Sequence, residues 1–189
     1  LKERLGLPQN KILLLCEAGA SMSGPYLPMR KILLPSLARF GEFENIHMTI
    51  VAGRDEKYIA ELKKLRTEKE IKNIDVLGFT NEMDKLLNVA DYALCKAGGL
   101  TVTECLCTKT PMILVGQPYA QEKINTWMLD KYHVATCAID EDAIYKAIKE
   151  LNDKSALASI SMEAILKIRK PNAAEDIAEA TYKLIKNDN

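Results

Sequence analysis

Residues 91–115 read DYALCKAGGLTVTECLCTKTPMILV, and this stretch predicts the fold of the chain. Its two ends, 91–95 and 111–115, are apolar runs of strand length, and a helical pattern at 100–107 lies between them. Apolar runs without alternation, bounded by Gly or Pro, are typical of strands that are buried on both faces of a parallel sheet. A strand, a helix and a second strand in this order predict a βαβ unit with a right-handed crossover.

The same alternation extends in both directions along the chain. Further apolar runs predict strands at 11–16, 46–52, 74–77 and, more weakly, 134–137. Helical patterns occur at 25–40, 56–68, 81–89, 121–132, 141–151, 156–168 and 173–185. Pro28 and Pro35 limit where the first of these helices can run straight. We therefore predict an α/β fold, a Rossmann-like doubly wound parallel sheet of about six strands in one domain that spans 1–189.

Composition excludes several classes of protein. The chain has 189 residues, of which 48% are apolar and 28% charged, so it matches a globular domain rather than a disordered segment. Its 26 basic and 26 acidic residues give a formal net charge of zero. Bulk charge therefore provides no attraction to nucleic acid or to an anionic membrane, and we expect no nucleic-acid partner. Any phosphate binding has to arise from a local site.

The cysteines predict reduced thiols. There are five of them with no CxxC pair, and only two histidines accompany them. This pattern argues against a disulfide framework and against a zinc site, and it favours a cytosolic compartment. The five are Cys16, Cys95, Cys105, Cys107 and Cys137.

Ligands of open α/β sheets bind outside the carboxyl ends of the strands, so the loops after the strands contain the candidate site residues. The loop after strand one, EAGASMSG at 17–24, has small residues around Ser21 and leads into a helix, which favours an anion site. Pro25 and Tyr26 stand where a P-loop would need Lys and Ser or Thr. A simple strand-to-helix turn is the alternative.

The loop after strand four, KAGGLTVTE at 96–104, places Gly98 and Gly99 just before a helix, where backbone N–H groups can bind phosphate. Thr101 and Glu104 have the spacing of a capping box, in which Glu104 would bond to the N-cap amide. The alternative is that Glu104 faces the crevice and accepts hydrogen bonds from two ribose hydroxyls. The spacing leaves both readings open.

Two more loops have polar or aromatic residues at strand ends. After strand five, Gln121, Glu122 and Asn125 begin a helix and form a group that suits sugar hydroxyls, unless they are ordinary N-terminal helix residues. After strand three, Phe79 and Thr80 offer an aromatic ring and free backbone groups to a nucleobase. A buried Phe79 is the alternative there.

These segments together resemble a known family. The order GFTNEM, VADYALCKAGGLTVTE and TPMILVGQPYAQEKINT is similar to that of the C-terminal, donor-binding half of GT-B glycosyltransferases of family 28. That group contains diacylglycerol glucosyltransferases, monogalactosyldiacylglycerol synthases and the lipid II-forming N-acetylglucosaminyltransferase. The resemblance covers nearly the whole chain, and it implies a nucleotide-sugar binding domain over 1–189 with the N-terminal acceptor domain absent from this sequence.

The resemblance also implies residue roles. Phe79 and Thr80 match the segment that holds uracil, and Glu104 matches the glutamate that binds the ribose. The residues matching the diphosphate loops are Ser21, Gly98, Gly99, Leu100 and Thr101, and those matching the sugar contacts are Gln121 and Glu122, with Asn125 nearby. The first loop, CEAGASMSG, departs from the family because it lacks consecutive glycines.

The implied reaction is transfer of a hexose from UDP-glucose or UDP-galactose to diacylglycerol with inversion, with UDP-N-acetylglucosamine transfer to a peptidoglycan lipid intermediate as the alternative. The UDP-sugar is a substrate, and no cofactor or metal is implied. The general base, the lipid acceptor and the contact with the cytoplasmic face of the membrane are assigned to the N-terminal domain. The first eight residues, LKERLGLP, begin with Leu1 and have the composition of a linker. We therefore expect an excised domain, with the donor subunit of a split enzyme as the alternative.

Overall fold

One parallel sheet organises the chain. The computed structural model describes residues 2–18, 29–116, 120–153 and 160–187, and six strands lie within them in the order β3-β2-β1-β4-β5-β6. The strands are β1 (Ile12–Glu17), β2 (Ile46–Val51), β3 (Ile74–Leu77), β4 (Tyr92–Cys95), β5 (Met112–Val115) and β6 (Ala135–Ala138). The predicted α/β fold is confirmed, and the strand order reverses between β1 and β4, where the fold places its ligand crevice.

The helices cover both faces of this sheet. They are α1 (Met29–Phe40), α2 (Glu56–Glu68), α3 (Met83–Val89), α4 (Gly99–Thr108), α5 (Gln121–Lys131), α6 (Glu141–Asn152), α7 (Met162–Ile168) and α8 (Ala173–Asn187). The start of the predicted helix at 25–40 lies partly outside the described residues, as does that at 156–168. Pro35 lies inside α1, because the flanking Leu33 and Leu37 are fully buried and their packing offsets the lost backbone hydrogen bond.

β1 divides the core in two. Leu14 and Cys16 pack in a buried cluster with side chains of α1, α2 and α6. Leu13 and Leu15 point to the opposite face, into a second cluster with side chains of α3, α4, α5 and α7. Because neighbouring residues of a strand face opposite sides, burial on both faces requires the unbroken apolar run that the sequence has at this place.

The N-terminal segment differs from the expected linker. Residues Glu3–Leu5 form a short 3-10 helix, and Leu7 is only 9% exposed in the second cluster. Asp91 joins this segment to the sheet, since its carboxylate accepts hydrogen bonds from Lys2 Nζ at 3.4 Å and from Leu13 N at 2.8 Å. Burying Leu7 removes apolar surface from water, which explains why the segment packs on the sheet.

Candidate functional site

A cavity lies at the carboxyl end of the sheet beside the reversal of strand order. It has a volume of about 440 Å³, and its walls come from the ends of β1, β2 and β3 and the start of α3. The lining residues are Glu17, Val51, Gly53, Arg54, Phe79, Thr80 and Met83. The predicted nucleobase residues therefore lie in the crevice that the topology favours for ligands.

Phe79 forms an exposed aromatic wall of this cavity. Its side chain is 57% exposed, so the alternative of a buried Phe79 is wrong. The Arg54 guanidinium lies 4.3 Å from the centroid of the Phe79 ring, a cation–π contact that holds both groups at the cavity. Thr80 uses its hydroxyl locally, accepting a hydrogen bond from Glu82 N at 3.0 Å at the start of α3. A flat ring and a planar cation offer a stacking surface to a nucleobase.

The start of α4 is open to a ligand. Gly98 is the N-cap residue and Gly99 the first residue of the helix. A Cβ atom built on either glycine would meet nothing within 4 Å. Gly98 has a φ of −71°, which any residue can adopt, so the role of the two glycines is to leave space in front of the first N–H groups. Such a helix start has a partial positive charge and suits a phosphate.

Of the two alternatives for Thr101 and Glu104, the capping box is wrong. The helix begins earlier, with Gly98 as its N-cap, so Thr101 lies within the first turn and cannot act as the cap. Its hydroxyl instead donates a hydrogen bond to Glu17 Oε2 at 2.8 Å. Glu104 is exposed on α4, and its negative charge adds to the rise of the pKa of Glu17, a residue that lines the cavity.

Glu17 is a site residue that the motif analysis missed. It ends β1, lines the cavity, and buries Oε1 with no hydrogen-bond partner among the described residues. Burial raises the pKa of its carboxyl above the ordinary value; the Thr101 hydrogen bond opposes this rise, and the charge of Glu104 adds to it. Glu17 is the first residue of the loop at 17–24, but a single carboxylate after a strand matches no motif that would identify it as a site residue.

The start of α5 forms the other side of the crevice. Glu122 is bound to Lys96 at 3.1 Å between Oε1 and Nζ, and its side chain is only 14% exposed. Asn125 donates from Nδ2 to the carbonyl of Ala97 at 2.8 Å and thereby ties α5 to the loop after β4. Gln121 is exposed.

The remaining predicted residues divide by position. Leu100 is 83% exposed on the first turn of α4, next to Gly98 and Gly99. Ser21 lies outside the described residues.

Like Glu17, Arg54 and Lys96 were not predicted as site residues. Arg54 follows β2 and Gly53, and its position directly after a predicted strand was the available signal.

Two properties bear on the chemistry. Within the part of the chain that the structure describes, no group of three or more His, Cys, Asp or Glu side chains is arranged to hold a metal ion. Among the same residues, no helix combines the length and the apolar character needed to cross a membrane.

Comparison with known proteins agrees with this architecture. The profile of the glycosyltransferase family 28 C-terminal domain matches residues 33–180. The crystal structure of Acinetobacter baumannii MurG superimposes with a TM-score of 0.73 and 21% sequence identity, over 93% of this chain and 51% of that one. At this identity the superposition supports the GT-B fold alone.

Two curated relatives are similar in sequence. A UDP-N-acetylglucosamine--N-acetylmuramyl-(pentapeptide) pyrophosphoryl-undecaprenol N-acetylglucosamine transferase of Thermoanaerobacter sp. (strain X514) is 29% identical over 153 residues, 76% of this chain and 41% of the relative. A processive diacylglycerol beta-glucosyltransferase of Bacillus pumilus is 29% identical over 192 residues, 98% of this chain and 48% of the relative. The chain thus spans less than half the length of either relative.

Proposed function

The chain belongs to the family of glycosyltransferase family 28 C-terminal domains, and from this premise we propose that it binds the UDP-sugar donor of an inverting hexosyltransferase. The observation that carries the proposal is that the open α4 start and the Phe79 cavity meet at Glu17, which lines the cavity and accepts a hydrogen bond from Thr101 of α4.

Each part of a UDP-sugar has a matching surface in this crevice. The diphosphate lies at Gly98 and Gly99, where N–H groups and the helix dipole stabilise negative charge. The two ribose hydroxyls donate to the Glu104 carboxylate. The uracil lies against Phe79 and the backbone at Thr80. Leu100 and Thr101 complete the diphosphate side, and Ser21, which the resemblance assigns to the same group, lies outside the described residues.

The donor sugar extends toward α5, where Gln121, Glu122 and Asn125 supply amide and carboxylate groups to its hydroxyls. During transfer, the diphosphate leaves with increasing negative charge. The fixed dipoles at the start of α4 stabilise this charge more in the transition state than in the bound substrate, which is the requirement for catalysis. The general base that activates the acceptor belongs to the part of the relatives that this chain does not cover.

The similarity to the two relatives supports proposals for the acceptor and for the donor sugar. We propose transfer of a hexose from UDP-glucose or UDP-galactose to diacylglycerol, in a full-length protein that binds the cytoplasmic face of the membrane through an N-terminal acceptor domain. The Bacillus pumilus relative, a diacylglycerol beta-glucosyltransferase aligned over 98% of the chain, favours this assignment. The Thermoanaerobacter relative favours UDP-N-acetylglucosamine as the second candidate donor. A separate donor-binding subunit of a split enzyme is compatible with the same site.

Calorimetric titration of the chain with UDP tests the proposal. UDP should bind, and Glu104→Ala should weaken binding by about one to two orders of magnitude, because two hydrogen bonds to a charged group are lost. Glu150→Ala, at a partly exposed glutamate of α6 that does not line the cavity, is the control and should bind like the unchanged chain. Competition among UDP-glucose, UDP-galactose and UDP-N-acetylglucosamine then identifies the sugar. Absence of UDP binding together with tight binding of NAD or ATP would overturn the proposal.

A further inference from the structure

Glu17 occupies an unusual place for a carboxylate, since it lies beside a helix start that suits an anion. Its Oε2 accepts the Thr101 hydroxyl at 2.8 Å, so Glu17 is joined directly to the first turn of α4. Its other oxygen, Oε1, is buried without a hydrogen-bond partner among the described residues. A buried, half-satisfied carboxylate is costly when ionised and much less so when neutral.

Within the part of the chain that the structure describes, the neighbouring charge that shifts the pKa of Glu17 is negative. From α4, Glu104 adds a second negative charge. From β1 and β4 come the thiols of Cys16 and Cys95; burial raises the pKa of Cys16, and a hydrogen bond to Cys105 together with burial raises that of Cys95, so both are neutral. Arg54 lines the same cavity, but its guanidinium lies over the Phe79 ring.

The direction of the Thr101 hydrogen bond decides what this hydroxyl can do. With Glu17 ionised, the single Thr101 proton is committed to Oε2, and the hydroxyl can only accept from other groups. A bound diphosphate also has only acceptor oxygens, so in this state Thr101 cannot donate to it. With a proton on Oε2, Glu17 donates to Thr101 Oγ1, and the Thr101 proton becomes free for an oxygen of the diphosphate.

We propose that Glu17 takes up one proton from solvent when a UDP-sugar binds, and that the neutral carboxyl then turns the Thr101 hydroxyl toward the diphosphate. The inference deepens the proposed function and rests on it. Glu17 is a positioning residue in this scheme, because it acts on the ligand through Thr101. The proton remains on the carboxyl while the ligand is bound and returns to solvent when the ligand leaves.

The sign of the pH dependence follows from linkage. Bound diphosphate favours the neutral carboxyl, so the pKa of Glu17 rises on binding, above a value that burial has already raised in the free chain. Between the free and the bound pKa, the complex holds one more proton than its components. The affinity therefore falls as pH rises through this window, by up to about tenfold per pH unit.

The experiment is calorimetric titration of the chain with a UDP-sugar in pairs of buffers that differ in ionisation enthalpy, between about pH 5 and pH 8. The ligand is whichever of UDP-glucose, UDP-galactose and UDP-N-acetylglucosamine binds. A UDP-sugar is preferred to UDP because the terminal phosphate of UDP titrates near pH 6 and would add its own proton. We expect uptake of about one proton per ligand within the window.

Glu17→Gln tests the carboxyl itself. The introduced amide donates permanently to Thr101 Oγ1, so proton uptake should vanish and the affinity should become independent of pH while remaining high at alkaline pH. Glu150→Gln, at a partly exposed glutamate of α6 that does not line the cavity, is the control and should retain the uptake of the unchanged chain.

Thr101→Val keeps the Glu17 carboxyl but removes the hydroxyl between it and the ligand, and the loss of this hydrogen bond raises the pKa of Glu17 further in the free chain. It should weaken binding and reduce the uptake, whereas Thr103→Val should change neither, because the Thr103 hydroxyl donates to Gly99 O within the helix. Circular dichroism establishes that each variant is folded. UDP-sugar binding without proton uptake, or with uptake that survives both Glu17→Gln and Thr101→Val, would overturn this inference and leave the proposed function intact. Absence of binding of UDP and of every UDP-sugar would overturn the proposed function itself.

Discussion

The two sides of the crevice are prepared for a ligand in different ways. We call Arg54, Phe79 and Thr80 the base wall, and Gln121, Glu122 and Asn125 the sugar wall. The base wall is open: Phe79 is 57% exposed and lines a cavity of about 440 Å³. In the sugar wall, two of the three side chains are already engaged, Glu122 with Lys96 and Asn125 with the carbonyl of Ala97.

This difference predicts how the two walls contribute to binding. A preformed, exposed surface contributes its stacking energy without rearrangement, so the base wall should govern the affinity for UDP. In the sugar wall, hydroxyls have to share or replace existing hydrogen bonds, so its net contribution should be smaller and should depend on the sugar. The ratio of the UDP and UDP-sugar dissociation constants separates the two contributions.

Of the two walls, the base wall should show the larger effect on binding. Phe79→Ala removes the stacking surface and should weaken UDP and UDP-sugar equally, by about tenfold, given roughly 1–3 kcal/mol for a base on an aromatic ring. The free energy of unfolding should change by less than about 0.5 kcal/mol, because the ring is exposed. Calorimetric titration and urea unfolding measure the two quantities.

Tyr182→Ala is the matched control for this prediction. Tyr182 lies on α8, is 58% exposed and does not line the cavity, so Tyr182→Ala removes an aromatic ring of similar exposure from another surface. If Phe79→Ala and Tyr182→Ala bind UDP alike, the nucleobase does not stack at the base wall and the comparison between the walls fails.

A smaller, sugar-dependent effect is expected at Glu122. Glu122→Gln replaces a charged acceptor with a neutral one, so hydrogen bonds from sugar hydroxyls weaken by about 1 kcal/mol. UDP affinity should stay within about twofold, while the additional affinity for the UDP-sugar falls by about fivefold. Glu68→Gln removes the exposed ion pair of Glu68 with Lys64. It should change neither the affinity for UDP nor the additional affinity for the UDP-sugar. A loss of UDP affinity as large as the loss for UDP-sugar would place Glu122 at the diphosphate instead.

The strands were predictable because burial on both faces of the sheet requires an unbroken run of apolar residues, which is visible in the local sequence. β3 and α2 have the predicted bounds, Ile74–Leu77 and Glu56–Glu68, since apolar runs closed by Gly and a helix capped by Asp55 are determined by neighbouring residues. The N-terminal segment was not predictable in this way. Its Leu7 is buried through contacts with the second cluster, which are distant in sequence.

The site was predictable only where its residues follow a local pattern. The open glycines before α4 are such a pattern, but the capping box at Thr101 matched a pattern that the earlier N-cap at Gly98 displaced. Glu17 bonds to Thr101, which is 84 positions away, and Arg54 meets Phe79 only because β2 and β3 are neighbours in the sheet. These contacts depend on which strands are neighbours in the sheet, and that order cannot be read from local patterns in one sequence.

The smallest effect is expected where the sugar wall is tied to the loop after β4. Asn125→Ala removes the hydrogen bond from Nδ2 to the carbonyl of Ala97, a residue that is buried, and should lower the free energy of unfolding by about 1 kcal/mol. Asn88→Ala removes a bond of the same 2.8 Å length within the exposed α3, to Asp84 O, and should cost less because water can replace it there.

Urea unfolding of both variants gives this difference, and hydrogen exchange of the amides at 96–100 gives its local consequence. If Asn125 acts by fixing this loop, exchange there should accelerate in Asn125→Ala and not in Asn88→Ala, and the affinities for UDP and UDP-sugar should fall together because the same loop leads into α4. If exchange is unchanged and only the sugar contribution falls, Asn125 contacts the sugar directly. The sugar wall would then be as open to its ligand as the base wall, and its existing hydrogen bonds would not reduce its contribution to binding.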